Sequence, residues 1–452
     1  MKKKLNKIIY EDNFLSLAGN LINAIFGFAV FALIARSYSI SVFGQWVLFI
    51  SSGTFIEMFR FGITNTAIVR YLSGVGQEER YQFIGSNWLI GLAATIIISI
   101  ILIGCNIAFA DPIRHAGYEL FFKWYPFLAF INLPFNTALV IMQADRLFGK
   151  IFLIRAINSM GFFLVVLLDF LFLKMKLQQL VWAMLAINGI ASAMCMYSGW
   201  DGLRYLRKAT KRTTRLLLNF GKYTTFTLIG TNLLRSADTL IISLSPLGSA
   251  AVALYSVPMK LTELQQIPLR SFVATAFPKM SKASILGKYE EVRDLFYTYS
   301  GAISYLFIFI SIFTFVFADL FVLILGGKQY LGIDPVTGFN TATIVRIFSV
   351  YGLLLPIDRM TGIGLDSINK PNINALKVLY MVVANILGDF IAVFTFRSLN
   401  LVAVGSILFT ILGVWVGFYY LSKELSLKYF HIFTKGIDFY KSIYLKLKKN
   451  EN

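Results

Sequence analysis

Charged and amide side chains stand inside stretches that are otherwise apolar, and they recur at helical spacing. Glu57, Arg60 and Thr64 follow one another at intervals of three and four, which places them on one helical face. Asn13, Ser16, Asn20 and Asn23 make a similar stripe, as do Asn232, Arg235 and Asp238. Lys260, Glu263 and Arg270 fall within a helical arc of about 80°. A further stretch carries Arg346 and Arg359 against Asp358 and Asp366.

Two kinds of chemistry suit this set. Arg60, Arg235, Lys260, Arg270, Arg346 and Arg359 could line a cationic cavity for an anionic group, because the planar guanidinium binds phosphate through two parallel hydrogen bonds. Glu57 or Asp238 could titrate to couple an ion, with Asn20, Asn23, Asn232 and Glu263 as polar neighbours. The alternative is purely structural: Glu57/Arg60, Arg235/Asp238 and Lys260/Glu263 are i,i+3 ion pairs that neutralise themselves and hold helices together.

Other chemistry is excluded by what the residues lack. No Gly-x-x-x-x-Gly-Lys-Ser/Thr loop is present to cradle nucleotide phosphates. The two histidines, His115 and His431, fall in a connection and in the tail, and no Cys/His spacing suits a metal, so neither metal nor cofactor is expected. Cys105 and Cys195 lie in apolar runs and read as packing residues.

The elements that position these groups are membrane spans. Of 452 residues, 57% are hydrophobic and only 14% charged, well below the roughly 25% of a soluble domain. Six runs of spanning length carry no charge: 14–35, 81–110, 124–144, 177–200, 295–318 and 398–422. Six more carry one to a few: 44–70, 149–173, 217–243, 250–277, 341–365 and 371–396. An all-α polytopic fold of about twelve helices is expected, because lipid tolerates no unpaired backbone. The 22-residue run 14–35 exceeds a signal-peptide core and reads as an uncleaved first helix. Pro134, Pro258, Pro268 and Pro356 fall inside spans and mark bends.

The net charge of +19 would suggest nucleic acid in a soluble chain, but here the charges sit between spans. With the first residues cytoplasmic, 29 Lys and Arg fall on that side against seven on the other, so both termini are expected in the cytoplasm. The basic segment 203–216 divides an N-terminal lobe, 1–202, from a C-terminal lobe, 217–422, and suits anionic headgroups. The tail 423–452 spaces Phe433, Ile437, Tyr440, Tyr444 and Leu447 as an amphipathic helix lying on the inner leaflet.

Ordered fragments then resemble one family. They are Ala32-Leu33-Ile34-Ala35-Arg36, Phe43-Gly44-Gln45-Trp46, Phe61-Gly62-Ile63 and Gln143-Ala144-Asp145-Arg146. The second half adds Asn219-Phe220-Gly221-Lys222, Ser236-Ala237-Asp238, Leu254-Tyr255-Ser256-Val257-Pro258, Ala276-Phe277-Pro278 and Leu325-Gly326-Gly327. The order resembles the Wzx-type flippases, the polysaccharide-transport branch of the multidrug/oligosaccharidyl-lipid/polysaccharide (MOP) exporter superfamily. A departure is Val252 or Ala253 where the family usually has a small glycine.

That resemblance implies two pseudo-symmetric six-helix lobes around a central cavity, in the inner membrane of a bacterium. It implies no enzyme but a flippase, carrying polyprenyl-diphosphate-linked oligosaccharide to the outer leaflet by alternating access. H+ or Na+ would be the coupling ion, and polysaccharide polymerase and chain-length proteins the partners. A drug or cation exporter of the same superfamily would favour buried acids over cations. A membrane glycosyltransferase or polymerase would need a large outer loop, whereas connections 111–123 and 326–340 are short.

Overall fold

A computed structural model describes the backbone of residues 12–450 except 63, 73, 74, 146 and 336, and describes side chains over the same span apart from 12–21, 66, 70, 220–232, 234, 235, 274 and 442–450. Long helices stand at every apolar stretch. The first half holds α1 (Asp12–Ser37), α2 (Ile40–Gly62), α3 (Asn65–Leu72), α4 (Gln77–Ala108), α5 (Ala110–His115), α6 (Glu119–Ala144), α7 (Phe148–Leu168) and α8 (Leu177–Tyr197). The second holds α9 (Lys211–Ser243), α10 (Gly248–Ile285), α11 (Tyr289–Val316), α12 (Ala318–Leu325), α13 (Thr341–Ser367), α14 (Pro371–Phe390), α15 (Leu399–Leu425) and α16 (Tyr429–Asn450).

Among the described residues, nine helical stretches are long and apolar enough to cross a bilayer. The remaining expected spans are occupied by α1 and α9, whose side chains are only partly described, and by α10, whose Lys260, Glu263, Gln265, Gln266 and Arg270 lower its apolarity. Rows of Ile on α4 (Ile97, Ile100, Ile107) and of Phe and Ile on α11 (Phe309, Ile312, Phe315) are exposed. Water would not tolerate apolar surface on that scale; a bilayer covers it. The chain is a multi-pass membrane protein.

The prolines sit where bends were expected. Pro134 lies in α6, Pro258 and Pro268 in α10 and Pro356 in α13, joined by Pro126 and Pro278. Each lacks the N–H that would bond one turn back.

The chain divides into two units. Unit 1 comprises Met1–Asn232 and Gly248–Ala253; unit 2 comprises Leu233–Leu247 and Leu254–Asn452. In unit 1, α1 packs on α7, and α6 lies between α4 and α8. Its main apolar cluster includes Phe61, Ile68, Phe83, Trp88, Leu133 and Ile141. In unit 2, α13 packs on α11 and α15, and α14 packs on α15, around Phe296, Phe307, Met360, Leu365 and Leu421.

Both units repeat one local signature. Asp169-Phe170 after α7 and Asp389-Phe390 at the end of α14 each introduce a π-helical turn, Asp169–Leu173 and Ile391–Thr395. Each turn is followed by a left-handed cationic residue, Lys174 at φ 48° and Arg397 at φ 49°. Few non-glycine residues adopt this conformation, and here it follows a π-helical turn in each unit, five residues after Asp169 and eight after Asp389.

The basic segment is a docked element. Its 3-10 turn, Leu203–Lys208, packs on α4, where a Cβ at Gly85 would strike the Tyr205 carbonyl. Tyr81 and Tyr205 stack at 4.1 Å, Lys208 pairs with Glu78 at 3.2 Å, and Ser86 bonds Thr213 at 2.7 Å. The tail forms the expected helix, α16, and it packs on α11. Gly301 and Gly436 meet backbone to backbone, Tyr440 donates to the Ala302 carbonyl at 2.9 Å, and the Lys428 N–H donates to Tyr297 at 2.7 Å.

Candidate functional site

The sequence places Glu57 and Arg60 one turn apart on α2, and they form an ion pair at 2.5 Å. Arg60 is fully buried, and its other contacts are also with the protein. Nε and Nη2 donate to Thr95 on α4 at 3.2 and 2.8 Å, and Nη2 donates to the Ala129 carbonyl on α6 at 2.6 Å. Glu57 accepts from Tyr125 at 3.0 Å and from Asn136 at 3.4 Å. A buried charge is tolerated when it is paired and hydrogen-bonded, and this cluster meets both conditions. Arg60 ties three helices together and presents no surface to a ligand in this conformation. Asn23 accepts from the Ser159 hydroxyl of α7.

In unit 2, Lys260 and Glu263 pair at 2.8 Å on a partly exposed face of α10, and Arg270 is exposed on the same helix. Arg346 of α13 pairs with Asp319 of α12 at 2.5 Å, while Arg359 is exposed. Asp358 is paired with Lys377 of α14 at 2.6 Å; that lysine is buried and also donates to the Asp358 carbonyl and to Thr361. The side chains of Asn20, Asn232 and Arg235 lie outside the described residues.

Asp238 stands in a constellation that the reading of the sequence did not assemble. It is buried on α9 and accepts from the Tyr255 hydroxyl at 2.7 Å. Asn385 of α14 directs Nδ2 to Asp238 Oδ1 at 3.1 Å and to Asp389 Oδ2 at 3.2 Å. Asp389 is fully buried, so the single Asn385 amide group joins two buried carboxyls. Ser406 of α15 bonds Tyr255. Oδ1 of Asp389 and Oδ1 of Asn385 have no hydrogen-bond partner among the described residues. Two buried carboxyls that share one amide donor repel each other when both are ionised, and a proton or a small cation relieves that repulsion. An arrangement of this kind is chemically able to hold a small positive ion. Asn385 and Asp389 sit four apart in the apolar run 371–396, a spacing that could have drawn attention to them.

The sequence matches the polysaccharide biosynthesis protein family over residues 9–284, more than half of its length. No curated protein sequence gives a significant match. Among solved structures, the fold is similar to an inward-facing multidrug resistance MATE family transporter of the MOP superfamily, with 15% identity over 91% of this chain and 98% of that one, at a TM-score of 0.75. The lipid II flippase MurJ, in an inward closed conformation, is 13% identical over 96% and 92% of the two chains, at 0.71. A MOP superfamily transporter from Pyrococcus furiosus is 16% identical over 91% and 94%, at 0.61. At these identities the likeness establishes a shared MOP-type fold. With its helices and its sequence match in agreement, the chain belongs to the polysaccharide biosynthesis protein family.

Proposed function

We propose that this protein is an ion-coupled flippase that carries a polyprenyl-diphosphate-linked oligosaccharide from the cytoplasmic to the outer leaflet of a bacterial inner membrane. The observation that carries the reading is the Asp238/Asn385/Asp389 cluster, a pair of acids bridged by one amide and buried within long helices. Intramembrane acids are costly, and where they persist they mark ion or substrate pathways. Loading one H+ or Na+ lowers the charge of the pair by one and relieves its repulsion, and releasing the ion restores it. Binding energy of that kind can bias two conformations of a transporter.

The glycan substrate is supported by the family and by the fold shared with a lipid II flippase. The shared fold supports two lobes that alternate access, and the excess of Lys and Arg on one side supports both termini in the cytoplasm. The basic segment and the lysines of α16 then face anionic headgroups. No covalent step is required, so the protein works as a transporter, beside the polymerase and chain-length proteins that use its product.

The test is leaflet exchange in proteoliposomes loaded with a fluorescent polyprenyl-diphosphate oligosaccharide. The expected result is movement that accelerates under an imposed H+ or Na+ gradient and that fails in Asp389→Asn. Export of an organic cation without movement of the lipid-linked sugar would replace this reading with drug efflux.

A further inference from the structure

An open pocket of about 490 Å³ lies within unit 1, and neither Glu57 nor Arg60 is part of its lining. Its lining is Asn23 of α1, Phe135 and Leu139 of α6, and Arg155, Asn158 and Ser159 of α7. That volume is in the range of ordinary small-molecule sites, roughly 300–1,000 Å³.

The lining is arranged for recognition. Arg155, Asn158 and Ser159 follow at spacings of three and four, so α7 turns one polar face to the cavity while Leu153, Met160 and Leu164 are exposed on its apolar side. Asn158 and Ser159 stand midway along α7, where a polar group facing lipid would be costly. Both are held in place. Asn158 donates to Asn188 of α8 at 3.0 Å, Asn188 is fixed by its own bond to the Met184 carbonyl at 2.8 Å, and Ser159 donates to Asn23. Prearranged amides and hydroxyls bind without a further ordering cost. Phe135 adds an apolar ring wall.

These groups match a sugar joined to a phosphate. Amides and a hydroxyl exchange hydrogen bonds with ring hydroxyls, an aromatic face covers the C–H face of a pyranose, and a guanidinium clamps two phosphate oxygens. We infer that this unit 1 cavity binds a glycosyl phosphate, with Arg155 on the phosphate and Asn23, Asn158 and Ser159 on the sugar next to it. This deepens the flippase reading and rests on it for the source of the ligand: the sugar nearest the diphosphate of the lipid carrier. A free sugar phosphate presents the same chemistry from solution.

The experiment uses the full chain in nanodiscs with three probes: a farnesyl-diphosphate-linked disaccharide, a free sugar 1-phosphate and octyl glucoside. Saturable binding is read from the rise in thermal unfolding midpoint. The lipid-linked probe binds wild type and octyl glucoside does not; competition by the sugar 1-phosphate reports how much of the recognition lies in the head group alone. Arg155→Gln weakens binding by about tenfold or more, and Arg155→Lys keeps part of it. Leu139→Trp places an indole in the lining with Arg155 intact and is expected to weaken binding by narrowing the pocket, a readout that stands even if Arg155→Gln fails to fold.

Wild-type affinity in both Arg155→Gln and Leu139→Trp overturns the assignment, as does the absence of binding by wild type. A wild type that flips lipid-linked sugar while both variants bind normally sinks the cavity and leaves the flippase. A wild type that binds sugar 1-phosphate through Arg155 yet moves no lipid-linked sugar keeps the cavity and sinks the flippase.

Discussion

Asn385 and Asp389 stand one turn apart on α14, and the amide of the first bridges the carboxylate of the second to Asp238 on α9, at 3.2 and 3.1 Å. Removing one negative charge relieves their repulsion without emptying the site. Asp389→Asn is therefore expected to unfold at or above the wild-type temperature. Its gradient-driven transport is expected to fall at least about tenfold, the scale of one charged hydrogen bond. Transport per folded molecule at the wild-type level would reduce the pair to a packing feature.

Arg60 carries the opposite expectation. Arg60→Ala leaves Glu57 half-buried without its cation, at a cost on the order of 3–5 kcal/mol, and is expected to lower stability sharply. Glu57→Gln with Arg60→Met removes both charges and recovers most of it. Thermal midpoints of Glu57→Gln, Arg60→Met and the double in one nanodisc preparation give the coupling, and additive losses would remove the clamp from consideration.

A third expectation concerns α16. A side chain at Gly436 would meet the backbone of Gly301, so Gly436→Val forces the two helices apart. The overpacking cost is about 1–3 kcal/mol. Limited trypsin digestion should cut faster at Lys435, which pairs with Asp294 at 3.5 Å in the docked state. Unchanged cleavage would mean that the close approach is not maintained in solution.

Asp201, in the connection after α8, gives a pH dependence. Burial raises its pKa above the usual carboxylate value, outweighing bonds from nearby backbone N–H groups. A raised folded pKa means stability that is present at acid pH and is lost as pH climbs from the unfolded value through the folded one. Asp201→Asn keeps an acceptor for Leu203 and turns the unpartnered Oδ2 into a neutral donor. Its unfolding midpoint is expected to be flatter across that window and higher at neutral pH. Parallel curves for the two proteins would assign the slope elsewhere.

The helices were legible because the bilayer imposes a simple rule: about twenty apolar residues make a span. Local pairs were legible too, since Glu57/Arg60 and Lys260/Glu263 are fixed by helical spacing alone. Partners distant in sequence were not. Asn385 reaches Asp238 across 147 positions, and nothing in the period of either helix specifies that they meet. The same holds for Lys377, buried against Asp358 of another helix 19 positions away. The tail's amphipathic period fixed its helix but not the neighbour it covers. Gly301 and Gly436, which settle that neighbour, carry no side chain and so leave no periodic trace.

The pairing of α16 with α11 orders the maturation of unit 2 in time. Tyr297 leaves the ribosome 131 residues before Lys428, its eventual partner. During that interval the seam around Gly301 is bare in the bilayer. A nascent chain halted there would already be inserted, yet unit 2 would still wait for its closing helix.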